Sequence, residues 1–323
     1  MDETSNAPSE LEALTLALLH SRAETARLGE REQLFSTLLG SVNAVLWAFD
    51  WAQQRIIYVS PAYERVFGRS AALLLADYDE WRNSIYPDDL EYAADSMAKV
   101  LETGAVEARE YRIIRNDGQL RWLSDKCFIS QQNESGQAPI IVGIAEDITE
   151  KKQLEGELHR LATTDVLTQS SNRRHFFEGA QREFEHARQY GSSLAFLLLD
   201  LDDFKQINDR YGHQMGDQVL QRLAHCGTSV LRRGDLFGRI GGEEFAVLLP
   251  GCAQSLALQI AERLQREIQR LSFSHETRRF GITVSQGLAC LRGDDISLDT
   301  LFGRADVAMY EAKRQGKDRI VLG

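Results

Sequence analysis

Within residues 238–250 a pair of glycines meets a pair of acids. Gly241 and Gly242 are followed at once by Glu243 and Glu244, and apolar residues flank the four on either side. The flanks predict the strands of a hairpin, and the glycine pair predicts a tight turn with positive φ angles. A hairpin needs no carboxylates at that place. A site that brings a phosphate and a hard cation close to the backbone does, because glycines admit the phosphate and carboxylates hold the cation. A second stretch supplies a partner. Residues 194–199 form a nearly unbroken apolar run that reads as a strand buried on both faces, and the run ends at Asp200. If the two strands are neighbours, Asp200 and Glu243 face one metal-sized space.

The elements that must position these residues follow from the hydrophobic periodicity. Helices are predicted over residues 173–190, 217–231, 253–271 and 298–314, and a strand over 280–291. In the second of these helices Leu220, Leu223, Ala224, Gly227 and Leu231 share one face; in the third Ala257, Ala261, Leu264, Ile268 and Leu271 do. Strands and helices alternate around one sheet, so residues 165–323 are an α/β domain. Upstream, residues 149–164 carry Leu154, Leu158 and Leu161 between charged residues, a helical connector with one apolar stripe. The stripe fits a parallel coiled coil or a short solvated linker. Residues 9–39 also read as helix, with Leu11, Leu14, Leu18, Leu28 and Phe35 in one register. That helix either pairs in a coiled coil or docks on the next domain. Between these segments, residues 40–148 hold two early strands, short helices and three later strands, with a hairpin turn at Asn116, Asp117 and Gly118.

Bulk properties exclude some classes. The chain has 323 residues, enough for two domains, and a net charge of -11 without a basic block. Tracking of nucleic-acid backbones is therefore not expected. The four cysteines, Cys127, Cys226, Cys252 and Cys290, contain no Cys-x-x-Cys pair, so neither a zinc site nor a disulfide framework is indicated. No apolar run reaches the roughly 18 residues of a membrane span. A cytoplasmic protein is expected, with reduced cysteines.

Residues 40–148 resemble a PAS domain, through the order of elements, Asn116-Asp117-Gly118 ahead of Trp122, and Asp147-Ile148-Thr149 at the exit. The ligand of such a sensor is unknown. This stretch has no histidine, which counts against a histidine-ligated haem. Cys127 reads as a packing residue. Trp47, Trp51, Trp81 and Trp122 read as pocket lining, core or interface anchors.

The second half resembles the GGDEF family of diguanylate cyclases in its Gly-Gly-Glu-Glu-Phe form. The resemblance covers about residues 160–323. It includes Asp165-Val166-Leu167-Thr168 with Asn172-Arg173-Arg174, the run from Asp200 to Asp209, Gly212-His213 with Gly216-Asp217, the signature itself, and Ala305-Asp306 through Ala312-Lys313 to Gly316-Lys317. It implies a palm-like, mostly antiparallel nucleotide-cyclase sheet. The whole is then an α+β PAS-like sensor joined by a helical linker to an α/β GGDEF domain. It also implies that a homodimer joins two GTP into cyclic di-GMP with magnesium, or manganese, as cofactor. In the roles it implies, Asp200, Glu243 and the Leu201 carbonyl ligate the metal, and Glu243 is also the base. Glu244 assists, and Lys205 offsets phosphate charge. Asn208 and Asp217 read guanine, with His213 beside the nucleotide or an ordinary loop residue. Lys313 and Lys317 reach the β- and γ-phosphates; lysine stands at 317 where the family more often has arginine, keeping the charge without the fork. Arg232 and Asp235 match the family's product-inhibition site, with Arg263 as a further contact, although a surface ion pair would give the same pattern. Arg239 is assigned to strand geometry and solvent. The alternative function is a non-catalytic receptor for GTP or cyclic di-GMP.

Overall fold

The computed structural model describes residues 44–131, 139–276 and 278–323. The helix expected over residues 9–39 lies outside the described residues. The chain divides into two compact units, the first running to Glu155 and the second from Gly156 to Gly323. Among the described residues no helix is long and apolar enough to cross a membrane, and all four cysteines are free.

In the first unit, strands β1 (Ala44–Asp50), β2 (Arg55–Val59), β3 (Ala105–Ile114), β4 (Leu120–Gln131) and β5 (Ile140–Asp147) form one sheet in the order β2-β1-β5-β4-β3. Every pairing in it is antiparallel. Five short α-helices and one 3-10 turn (Pro87–Asp89) lie between β2 and β3, the α-helices being α1 (Ala62–Phe67), α2 (Ala71–Ala76), α3 (Asp79–Ser84), α4 (Leu90–Ala98) and α5 (Val100–Thr103). The hairpin between β3 and β4 turns at Gly118, with φ 79, and its N–H donates to the Arg115 carbonyl at 2.9 Å. Cys127 is buried in the core, as expected.

That core also contains an ion pair the sequence reading did not find. Arg109 and Asp125 are each 1% exposed. Arg109 donates through Nε at 3.1 Å and Nη2 at 2.6 Å to Asp125 Oδ2, which also accepts from the Tyr111 hydroxyl at 3.2 Å. Trp47 Nε1 donates to Asp125 Oδ1 at 3.0 Å, and Arg109 Nη1 to the Ala93 carbonyl at 3.0 Å. Burial pushes the Asp125 carboxyl up, against the pull of Arg109. Trp47 and Trp81 line a cavity of about 30 Å³ beside this pair, space for about two water molecules. Trp51 packs on the core, and Trp122 lies under the Arg112 and Lys152 cations.

Helix α6 (Thr149–Thr163) buries none of its residues. Leu154, Leu158 and Leu161 are 57%, 66% and 49% exposed.

The second unit is built on β6 (Leu194–Leu201), whose eight residues are all buried. It lies between β8 (Glu244–Pro250) and β11 (Val284–Cys290), with β7 (Leu236–Arg239) outside β8 and β12 (Ile320–Leu322) outside β11. Only the β11–β12 pairing is parallel, so the sheet is mostly antiparallel, as the resemblance implies. Helices α7 (Arg173–Tyr190), α8 (Phe204–Tyr211), α9 (His213–Val230), α10 (Gln254–Gln269) and α11 (Leu298–Arg314) complete the unit.

The alternation of a strand divides β6 between two cores. Ala195, Leu197, Leu199 and Leu201 pack with Val219, Leu223, Ala257 and Leu264 of α9 and α10. Leu194, Phe196 and Leu198 pack with Phe176, Phe184, Leu301, Ala305 and Met309 of α7 and α11. By parity Asp200 falls on the α7–α11 face. Close contact sets the height of α11, because a Cβ on Gly287 of β11 would meet the Ala305 carbonyl oxygen at 2.0 Å.

Two expectations need correction. Residues 280–291 are not one strand. Arg278–Gly281 is β10 and pairs with β9 (Ser272–His275) in a separate two-stranded sheet. It is held there by Phe280, which stacks on Tyr211 with ring centroids 4.3 Å apart. The chain then changes sheets before Val284. Nor do Gly241 and Gly242 supply positive φ angles; neither falls among the glycines with that conformation. The turn is wider than two residues, closed by the N–H groups of Ile240 and Gly241, which donate to the Glu244 carbonyl at 2.9 and 3.3 Å. Gly241 instead leaves room for the Glu244 side chain, since a Cβ there would meet Glu244 Oε2 at 2.3 Å and push that carboxylate aside.

Candidate active site

The strand register brings the acids together. β6 and β8 pair Asp200 with Glu244, and the Leu201 N–H donates to the Glu243 carbonyl at 3.2 Å. On β8, Phe245, Val247 and Leu249 belong to one core and Ala246 and Leu248 to the other. Glu244 therefore opens the strand on the face of Asp200. Asp200 is 4% exposed at the rim of the α7–α11 core. Lys313, at the end of α11, places its Nζ 2.6 Å from Asp200 Oδ2. The other oxygen, Oδ1, is buried and has no hydrogen-bond partner. Burial pushes the Asp200 carboxyl up to about 6; Lys313 pulls it down, while the charges of Glu243 and Glu244 add to the rise.

A buried carboxylate oxygen without a partner, next to two more carboxylates, is the signature of a place for a cation. Among the described residues no three His, Cys, Asp or Glu side chains are close enough to hold a metal on their own. The donors fit magnesium even so. This ion binds through one or two carboxylates and takes its other ligands from substrate phosphates and water. Asp200, Glu243 and the Leu201 carbonyl form such a set of hard oxygens.

The expected guanine readers sit on consecutive helices. Asn208 is in α8, and Asp217 is exposed in the first turns of α9. The Asn208 amide lies against the backbone of Gly216, where a Cβ would come within 2.0 Å of its Oδ1. Gly216 thus makes the seat of Asn208. Lys205 and His213 are exposed, at the first turn of α8 and the first residue of α9. Neither side chain has a hydrogen bond or ion pair among the described residues. Lys317 pairs with Asp203, Nζ to Oδ1 at 2.7 Å. The two expected phosphate lysines are thus both held against acids at the end of β6.

Arg232 and Asp235 form the ion pair their spacing predicts. Arg232 Nε lies 3.1 Å from Asp235 Oδ1, and Asp235 Oδ2 accepts from the Arg232 N–H at 3.1 Å. The Arg232 side chain is 58% exposed. The pair lines a groove of about 440 Å³ with Arg233, Ser170 and Thr228. Arg263 does not line it; its Nη2 donates to the Val230 carbonyl at 2.5 Å.

Arg239 corrects the reading that gave it to solvent. Its side chain is 16% exposed and lies 3.1 Å from Asp165 Oδ1. It also donates to the Gly242 carbonyl through Nε at 3.2 Å and Nη2 at 2.7 Å. Asp165 in turn accepts from the Thr168 N–H and hydroxyl. One guanidinium therefore ties the segment that follows the connector to the turn that carries Glu243. The signal was in the sequence, as an arginine two residues before a glycine pair and an unassigned Asp165, but nothing in the pattern joined them.

A family model described as "Diguanylate cyclase, GGDEF domain" matches residues 162–319, and one described as "PAS fold" matches residues 56–145. A diguanylate cyclase of Vibrio cholerae is 31% identical over 267 residues, covering 82% of this chain and 82% of the relative. Diguanylate cyclase DgcM of Escherichia coli is 41% identical over 186 residues, which is 56% of this chain and 43% of DgcM. The solved coiled coil and GGDEF domain of DgcB from Caulobacter crescentus, in complex with c-di-GMP, superimposes with a TM-score of 0.52 at 31% identity. It covers 55% of this chain and 93% of that structure.

Proposed function

The chain belongs to the GGDEF family of diguanylate cyclases, carried here behind a PAS domain, and from this we infer that two copies, each holding one GTP, make one cyclic di-GMP and release two pyrophosphates. The observation that carries the reading is the buried, unpartnered Asp200 Oδ1 beside Glu243 and Glu244, with Lys313 on the opposite oxygen. Asp200, Glu243 and the Leu201 carbonyl hold magnesium or manganese. When bound, the metal neutralises phosphate charge and lowers the pKa of the attacking hydroxyl. Glu243 takes the proton of the ribose 3′-hydroxyl as it attacks the α-phosphate of the facing nucleotide, and Glu244 supports it. Lys205, Lys313 and Lys317 offset the charge of the triphosphate. Asn208 and Asp217 pair with the guanine edge, whose N–H donors adenine lacks, and His213 borders the nucleotide. Incubation with GTP and magnesium should yield cyclic di-GMP. Glu243→Ala should abolish it, since a positioned base alone contributes on the order of 10²–10⁴ in rate. A folded Glu243→Ala protein with near wild-type turnover would sink the assignment.

Regulation belongs to the same reading. The stripe of Leu154, Leu158 and Leu161 supports pairing of α6 with α6 of a second copy, and the PAS unit then governs how often two sites meet. The exposed Arg232 and its partner Asp235 support a product site in the groove they line, with Arg263 engaging the dimeric product from a neighbouring surface. Added cyclic di-GMP should slow the wild type at micromolar concentration, roughly −8 kcal/mol of affinity. Arg232→Ala should lose that sensitivity. Equal inhibition of both proteins would remove the groove as the inhibitor's seat.

A further inference from the structure

Asp202 carries no role in the chemistry above, yet it is 6% exposed and makes no ion pair among the described residues. Among the described residues its carboxylate accepts from three neutral donors. Oδ1 accepts from the Ser285 hydroxyl at 2.6 Å, and Oδ2 from the Thr283 hydroxyl at 2.7 Å and the Asp318 N–H at 3.1 Å. Thr283 and Ser285 are already fixed by the sheet, because the Asp202 N–H donates to the Thr283 carbonyl at 3.0 Å and Ser285 sits in register with Asp200. The third partner is different. Asp318 follows Lys317 and Gly316, and all three have positive φ: 112, 63 and 45 for Gly316, Lys317 and Asp318.

Two successive non-glycine residues in the left-handed region persist only where the surroundings impose that conformation. Here they do so at several points. The Lys317 N–H donates to the Ala312 carbonyl at 3.0 Å. The Asp318 carboxylate accepts from Gln265 and Gln269 of α10 at 2.9 and 2.8 Å. Arg319 accepts from the Gln286 N–H at 2.8 Å. The Lys317 carbonyl accepts from Arg319 Nε at 3.0 Å, and Asp202 takes the N–H of Asp318, the second of the two left-handed residues.

We propose that Asp202 is a positioning residue for the triphosphate: it holds the turn of Lys317 and Asp318 in its left-handed form and so aims Lys317 at the nucleotide. The inference rests on the reading of Lys317 as a phosphate ligand. Without the Asp202 acceptor the turn relaxes toward ordinary φ values and the ammonium swings off the site. The base-reading residues, on α8 and α9, are untouched. The loss therefore falls on the β- and γ-phosphates and spares the guanosine end.

The test is binding of two nucleotides to the full chain with magnesium: a GTP analogue with a methylene bridge between the α- and β-phosphates, which cannot be cyclised, and GMP. Asp202→Ala should weaken the analogue about tenfold and leave GMP within twofold. Lys317→Ala should do the same, and the double variant should be no weaker than Lys317→Ala, as expected for two residues acting through one contact. Ser285→Ala, which removes a bond of Asp202 away from the turn, should leave the analogue's affinity unchanged. If Asp202→Ala is too unstable to assay, Asp202→Asn, with a single acceptor oxygen, should show a smaller loss with the same preference for the triphosphate. Equal losses for both nucleotides, additive losses in the double variant, or a Ser285→Ala effect matching Asp202→Ala would overturn the proposal. If Lys317→Ala itself does not distinguish the two nucleotides, the reading of Lys317 fails and this proposal with it. If Lys317→Ala does and Asp202→Ala does not, only the present proposal fails.

Discussion

Asp200 sets stability against chemistry in a single side chain. Its folded-state pKa of about 6 lies above the ordinary 3.8, so between those values the folded protein retains a proton that the unfolded chain has released. Raising the pH through that window therefore lowers stability. Asp200→Asn removes the buried charge. The variant is expected to be more stable than wild type at pH 7.5 in chelator, by on the order of 1–3 kcal/mol, and to lose that advantage near pH 4. It should be inactive throughout. Denaturant melts at the two pH values read this directly, and an equal difference at both would contradict the titration. Asp200 was legible in the sequence because an acid that stops an apolar run has few innocent explanations. Asp202 was not legible as a positioning residue. Its importance comes from Thr283, Ser285 and Asp318, which only the folded sheet brings to it.

At the scale of elements, the site depends on contacts too close for a side chain. α9 carries Gly216 where the Asn208 amide lies, so Gly216→Ala must displace Asn208 by steric contact although no substrate-touching atom is changed. The variant should discriminate GTP from ATP as poorly as Asn208→Ala does, a loss of about 1–3 kcal/mol. Competition by ATP measures it, and wild-type selectivity in Gly216→Ala would show that Asn208 does not read the base. Helix and strand positions were readable because their periods are local. The predicted helix over residues 298–314 coincides with α11 (Leu298–Arg314). The failures had non-local causes. The break between β10 and β11 is set by Phe280 stacking on Tyr211, and the use of Gly241 by the reach of the Glu244 side chain. The buried pair of Arg109 and Asp125 was missed because alternation marks which face a residue takes, while only the folded sheet shows that both charges turn inward to each other.

At the scale of the whole molecule, the proposed site with one nucleotide per chain would make assembly part of catalysis. A chain starting at Leu161 keeps the described catalytic unit almost entire but loses Leu154 and Leu158, the most exposed apolar residues of α6. Its specific activity should rise steeply with protein concentration, while the full chain's stays flat. Equal activity per molecule at low concentration would show that α6 does not govern assembly. The central place of β6 has one more consequence, and it concerns synthesis of the protein. β6 pairs on one side with β8 and on the other with β11, whose residues come from much later in the sequence. Long-range pairing of this kind is slow to form. Until β11 has been made, the nascent polypeptide carries the seven apolar residues of β6 (Leu194–Leu201) along an open strand edge. An unpaired apolar edge recruits other chains. The strand that delivers Asp200 to the site is for that interval an aggregation hazard, one the chain escapes only by completing its sheet.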